Sequence, residues 1–92
     1  MAKSILQKNK RCAICHRTDE LHEHHIFEGP NRRLSEQYGL KVWLCARHHN
    51  MSGEGVHFNT GLDLRLKRIA QRQFEKQYGH EKFMKLFGRN YL

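Results

Sequence analysis

The sequence predicts one small α+β domain, with a two-stranded core that carries cysteine-based metal knuckles and carboxyl-terminal helices after it. The chain has 92 residues, enough for a single domain with a small core. All three cysteines and seven of the eight histidines lie between residues 12 and 57. From residue 60 onward, the apolar residues have the spacing of amphipathic helices. We therefore expect residues 1–92 to form one domain, with a core over 12–59 and basic amphipathic helices over 60–92.

Two short apolar segments are expected to form the strands. Leu21–Phe27 is followed by a Glu-Gly-Pro turn sequence, and Leu40–Leu44 is rich in β-favouring residues. Between them, Arg32–Tyr38 is expected to form a short helix that ends at Gly39. The two strands can pair as an antiparallel ribbon, and a short helical turn is expected after Cys45.

The last third of the chain is expected to be helical. Apolar residues recur there at steps of three and four, namely Leu62, Leu66, Ile69, Ala70, Phe74 and Tyr78. Gly79 would stop this helix, and Glu81–Phe87 would form a second one that ends at Gly88. The result is a helical hairpin, or one helix with a bent extension.

The chain is strongly basic, with 17 Lys and Arg against 9 Asp and Glu and a formal net charge of +8. Such a charge favours a polyanionic partner. On a helical wheel of the first predicted helix, four basic residues fall on one side and form a basic stripe: Arg65, Arg68, Arg72 and Lys76. This stripe could follow a phosphate backbone, or it could be a solvated face. Arg32 and Arg33, between the strands, are better candidates for phosphate contacts.

The sequence indicates neither a membrane span nor export. Its longest apolar run, Val42–Ala46, is far shorter than the roughly 20 residues that cross a bilayer. No apolar stretch of signal-peptide length follows the cationic amino terminus. We therefore expect a cytoplasmic protein, in which cysteines bind metal rather than form disulfides.

The three cysteines and one histidine form two metal knuckles. Cys12 and Cys15 make a CxxC pair, and Cys45 and His48 make a CxxH pair after 29 intervening residues. Zn²⁺ prefers four thiolate and imidazole ligands, and a two-residue spacer lets two side chains of one turn converge on it. The alternative is that these cysteines are buried apolar residues. The pairing favours a structural zinc site.

A second group of histidines comprises His24, His25, His49 and His57. Neighbouring strand residues point to opposite faces, so that His24 and His25 should have different roles. His48 and His49 diverge by about 100° on a helical turn, which would let one complete the zinc site and the other reach a second metal. The alternative is that these histidines only pack or hydrogen-bond.

These motifs resemble the core of the HNH nucleases of the ββα-metal type. The resemblance rests on His24-His25-Ile26-Phe27 and on Trp43-Leu44-Cys45-Ala46-Arg47-His48-His49, and it covers residues 12–59. The segment Gly55-Val56-His57-Phe58-Asn59 is similar to the prophage branch related to recombination-enhancement nucleases that depend on a RecA-type recombinase.

The resemblance implies a phage or prophage enzyme of the bacterial cytoplasm that hydrolyses DNA phosphodiester bonds with one divalent metal. It implies His25 as the general base and His24 and His49 as metal ligands. His57 has no firm counterpart in the family motif, but a third imidazole there would complete the metal site. Such an all-histidine site suits Zn²⁺, Ni²⁺ or Mn²⁺ at least as well as Mg²⁺. A recombinase–DNA filament is a further partner that the resemblance implies.

Two departures from the family pattern are present. His48 replaces the more usual cysteine of the second knuckle, and the family's middle asparagine aligns near Leu40. Either Asn31 reaches back to orient His25, or a backbone carbonyl does so. A non-catalytic zinc-binding nucleic-acid-binding module is the alternative function, and it needs one metal per chain where the nuclease needs two.

Overall fold

The computed structural model describes residues 3–51, 55–56 and 59–92, with the backbone alone for residues 50 and 51. The elements in chain order are β1 (Leu21–His25), a 3₁₀ turn (Gly29–Asn31), α1 (Arg32–Tyr38), β2 (Lys41–Cys45), a short π-type helical segment (Arg47–Met51), α2 (Thr60–Tyr78) and α3 (His80–Phe87). The predicted α+β class is thus present, as a two-stranded sheet with helices.

The sheet is the predicted antiparallel ribbon, with Leu21 opposite Cys45 and His25 opposite Lys41. β1 ends two residues earlier than predicted, because the backbone of Phe27 bonds to a side chain instead of a strand. Ser35 Oγ accepts from the Phe27 amide at 2.9 Å and donates to its carbonyl at 2.8 Å. This buried serine therefore fixes α1 against the end of β1.

The helix α1 has the predicted bounds and ends at Gly39, whose φ of 69° is left-handed. The amino-terminal segment follows the outer edge of β2. The Ile5 amide donates to the Gly39 carbonyl at 2.9 Å, and the Ala13 amide donates to the Trp43 carbonyl at 2.8 Å. The side chain of Gln7 accepts from the Trp43 amide at 2.7 Å. These bonds satisfy polar groups that an edge strand would otherwise leave exposed.

The helices α2 and α3 form the carboxyl-terminal hairpin, and their aromatic side chains meet Phe27. The ring of Phe87 lies 4.6 Å from the rings of Phe27 and Phe83, and Phe74 lies 5.6 Å from Phe83. Such contacts join the hairpin to the end of β1. Among the described residues, none of the helices has the combined length and apolarity that crossing a bilayer requires.

The buried face of α2 is narrower than the apolar pattern predicts. Leu66, Ala70 and Phe74 are buried, whereas Ile69 and Tyr78 are 40% and 37% exposed. Ile69 lies at one border of the apolar stripe and Tyr78 is the last residue of the helix, whereas the polar Gln71 beside the stripe is fully buried.

Candidate metal centres

Four side chains from the two knuckles converge, and their ligand atoms all lie within 4.8 Å of one another. They are Cys12, Cys15, Cys45 and His48. The Sγ atoms of Cys15 and Cys45 are 3.7 Å apart, and His48 Nδ1 is 3.2 Å from Cys45 Sγ and 3.7 Å from Cys12 Sγ. Two thiolates on a tetrahedral Zn²⁺ are separated by about 3.8 Å. The geometry and the donor set therefore fit a metal such as zinc.

The local backbone explains this convergence. The amide of Cys12 donates to the Arg17 carbonyl at 2.8 Å, and the His16 amide donates to the Cys12 carbonyl at 2.9 Å, which closes the first knuckle into a turn. Cys45 is the last residue of β2 and begins the second knuckle. Because β1 and β2 pair along their whole length, the ribbon brings both knuckles to one end of the sheet.

The sulfur atoms of this group are chemically suited to bind a cation. Burial raises the pKa of the Cys12 thiol, but hydrogen bonds from the backbone amides of Cys15, Cys45 and Ile14 and from the Cys15 side chain outweigh it and lower the pKa to about 6. Burial raises the pKa of the neighbouring Cys45 thiol, and the nearby sulfur atoms raise it further. One thiolate is thus ready at neutral pH, and a bound cation would favour ionisation of the others. The cysteines form no disulfide.

Three histidines lie beside this group, on one face of β1 and on the helical segment. The ring of His49 is 5.1 Å from the ring of His22 and 5.4 Å from that of His24. The Nδ1 atoms of His22 and His49 are 3.0 Å apart. The predicted proximity of His24 and His49 is therefore present, and His22 joins them.

The surroundings of His24 also suit metal binding. His24 is only 2% exposed, and its Nδ1 lies 3.5 Å from Glu28 Oε1. Metal-binding imidazoles commonly have a carboxylate at the nitrogen that does not bind the ion. His57, the predicted third ligand, lies outside the described residues. Shortly before it, the Val56 amide donates to the His48 carbonyl at 2.8 Å, which ties this part of the chain to the helical segment.

His25 lies on the opposite face of β1, within a buried charge network. Its Nε2 is 3.0 Å from Glu36 Oε1, and Lys41 Nζ is 2.6 Å from Glu36 Oε2 and 3.6 Å from Glu23 Oε2. Hydrogen bonds from Lys41 and then from His25 lower the pKa of Glu36 to about 2. Glu23, His25 and Glu36 could together ligate a metal. The buried ammonium of Lys41 already supplies the cation between the two carboxylates, so we interpret the network as ion pairs.

The predicted DNA-contacting residues are all exposed. Arg32 and Arg33 begin α1, and the stripe on α2 consists of Arg65, Arg68, Arg72 and Lys76. Arg68 also donates from Nε to the Tyr91 carbonyl at 3.0 Å, so that one member of the stripe holds the carboxyl-terminal segment.

Several residues of these centres had no role assigned from the sequence, where His22 counted only as a surface polar residue or an alternative ligand. His22 could have been found, because it shares a strand face with His24 at a spacing of two. Glu36 and Lys41 gave no such signal, since they belong to different elements and meet only in the folded chain. The partner of His25 Nε2 is Glu36, which was neither of the two predicted alternatives.

Comparisons of the chain with protein-family models, with curated proteins and with solved structures found no match.

Proposed function

We propose that the protein is a metal-dependent HNH-type endonuclease that hydrolyses phosphodiester bonds in DNA. The observation that carries this proposal is the presence of a histidine group next to the Cys-His group. His48 belongs to the first group and His49 to the second, so that one helical segment contributes to both. A module that binds a single zinc has no need for the second group.

The two groups suit different tasks. The Cys-His group uses four protein ligands, the number that closes a structural zinc site. The histidine group combines the buried His24 with the more exposed His22 and His49, which leaves a side on which a phosphate could enter. A divalent ion held there would stabilise the charge that develops on phosphorus and on the leaving oxygen.

His25 remains the proposed general base. Its Nε2 faces Glu36, which leaves Nδ1 as the nitrogen to accept a proton from water. In the structure this ring lies on the face of β1 opposite the histidine group, so the base role requires the ring to turn toward the metal side when the site is loaded.

The charge of the molecule supports DNA as the substrate. The net charge is +8, and the exposed Arg32 and Arg33 lie on the same helix as Glu36. The resemblance extends the proposal to a phage or prophage protein of the bacterial cytoplasm, acting on DNA or on a recombinase–DNA filament.

Plasmid cleavage by the purified full chain, measured with Mg²⁺, Mn²⁺, Ni²⁺ and Zn²⁺ in turn, tests the proposal. We expect metal-dependent conversion of supercoiled DNA that His49→Ala abolishes. The matched control is His80→Ala, which removes an exposed histidine of α3 and should leave cleavage intact. DNA binding without cleavage under any metal, with one ion per chain, would instead support the non-catalytic zinc-binding module.

A further inference from the structure

The contact between His22 and His49 is the least expected feature of the histidine group. Their Nδ1 atoms lie 3.0 Å apart. Two imidazole nitrogens can approach in this way if one carries a proton, or if both lone pairs point at one cation. Two nitrogens bound at right angles about 2.1 Å from one ion are about 3.0 Å apart. The observed distance fits both explanations, and the position of His24 beside the same His49 ring favours the second.

The strand geometry makes His22 a partner of His24 as well. The two residues are separated by one position in β1, so that their side chains leave the same face. The ring of His49 contacts both, at 5.1 Å and 5.4 Å. Three imidazoles from two elements thus surround one region next to the Cys-His group.

We propose that His22 is a ligand of the same divalent ion as His24 and His49, so that β1 supplies two ligands and the helical segment supplies one. This inference rests on the proposed function, because it completes the metal site of that enzyme. The nitrogen atoms of the three histidines are less tightly gathered than the ligand atoms of the Cys-His group. The ring of His22 is exposed and can rotate when the ion binds.

The ligand set also defines the class of metal. Three neutral imidazoles without a protein carboxylate favour Ni²⁺, Zn²⁺ or Mn²⁺ over Mg²⁺, which prefers oxygen ligands. The remaining coordination positions would face solvent on the side of His22, where water and a phosphate can enter.

Calorimetric titration of the zinc-loaded full chain with Ni²⁺ tests the ligand role directly, with zinc content measured before and after. We expect the wild type to bind one Ni²⁺ and His22→Ala to bind it about 10-fold more weakly or worse, since even indirect supports of a metal site contribute 10-fold or more. His22→Gln keeps the size of the side chain and should show the same loss, whereas His80→Ala should bind Ni²⁺ like the wild type. Circular dichroism of each variant verifies that it is folded.

The outcomes separate this inference from the proposed function. If Ni²⁺ binding depends on His22 but the protein never cleaves DNA, the ligand role of His22 is supported and the proposed nuclease activity is rejected. Equal Ni²⁺ affinity in the wild type and both His22 variants, or no Ni²⁺ binding by the wild type, would overturn the role of His22, even if the protein cleaves plasmid.

Discussion

At the scale of single residues, His24 and His25 show how one strand can serve two chemical environments. His24 faces His49 and Glu28, and His25 faces Glu36 and Lys41. Successive side chains of a β-strand point to opposite faces, and this alternation alone separates the two histidines. Neighbouring histidines are therefore expected to respond differently to the same substitution.

The first prediction compares these two histidines in DNA cleavage. If His25 is the base, His25→Ala should keep both metals and DNA affinity but lose about 10²–10⁴-fold in single-turnover rate. His24→Ala should weaken the second metal, so that excess metal partly restores the rate. If His25→Ala instead loses the second metal and His24→Ala keeps it, then His24 is the base and His25 is the metal ligand.

A second prediction concerns the charge network around Lys41. Lys41 is almost fully buried, whereas its partner Glu36 is partly exposed. Glu36→Gln removes the nearest carboxylate from a buried ammonium and should lower the free energy of unfolding by about 2–4 kcal/mol. Lys41→Met removes the buried charge itself and should lower the free energy of unfolding by less than about 1 kcal/mol. Urea unfolding of the zinc-loaded proteins at neutral pH measures both losses of stability. A larger loss in Lys41→Met than in Glu36→Gln would contradict this account of the network.

A third prediction tests the Cys-His group. Cys12→Ser should release zinc and unfold the domain, because a structural zinc site contributes about 10 kcal/mol or more of binding energy that is also folding energy. Zinc content and thermal melting of the purified variant are the measurements. Thr18→Ser, a change of similar size in the same region, is the control that should retain both. An unchanged melting temperature in Cys12→Ser would refute the zinc assignment.

At the scale of the elements, α1 depends on Gly39, which ends it and also contacts the amino-terminal segment. A Cβ atom at this position would collide with the carbonyl oxygen of Lys3, and its φ of 69° is unfavourable for other residues. The end of α1, the start of β2 and the segment along its edge therefore meet at a site that only glycine fits.

A fourth prediction uses two glycines with similar backbones. Gly39→Ala should lower the free energy of unfolding by more than about 3 kcal/mol. Backbone strain alone costs about 1–3 kcal/mol, and the collision with the Lys3 carbonyl adds to it. Gly29 has a φ of 60° but open space around it, so that Gly29→Ala should cost only about 1–2 kcal/mol. Urea midpoints of the two variants measure the difference, and equal midpoints would mean that the collision is relieved cheaply.

The elements with strong local signals could be predicted from the sequence. Arg32–Tyr38 begins after a Pro-containing turn and ends at a glycine, and its predicted bounds are confirmed. The knuckle spacing likewise predicted the four residues that converge. In these cases, the information lies within a few neighbouring residues.

Features that depend on contacts between distant elements could not be predicted. Ser35 ends β1 early by bonding to Phe27, and Glu36 and Lys41 surround His25. A buried Gln71, which accepts from the Tyr91 amide at 2.8 Å, interrupts an otherwise apolar pattern. Each of these polar groups is explained by its partner, and the partner is identified only once the chain has folded.

At the scale of the whole molecule, part of the excess positive charge is concentrated on one side of α2. The stripe of four cations lies on the exposed side of α2, whereas the buried side of this helix faces the aromatic core. A cationic row of this length can follow successive phosphates, provided that its members are not merely solvated.

A fifth prediction decides between these two roles. Neutralising Arg65, Arg68, Arg72 and Lys76 to Gln should reduce the slope of log affinity against log salt by about 3.6, or about 0.9 for each phosphate contact. The variant Lys82→Gln with Lys85→Gln removes charge from α3 and should retain the wild-type slope. Binding of duplex DNA at several salt concentrations gives the slopes. The same slope in the fourfold variant and the wild type would show that the stripe is only solvated.

In the proposed two-metal arrangement, the peptide bond between His48 and His49 couples the binding of the two ions. An ion in the Cys-His group fixes the helical segment and so removes freedom that a second ion would otherwise have to restrict. Because such coupling is reciprocal, each ion raises the affinity for the other by the same factor. Under this proposal we expect loading to be cooperative and ordered. The Cys-His group should fill first, and a chelator that removes its ion should also lower the metal affinity of the histidine group, although it contacts none of that group's ligands.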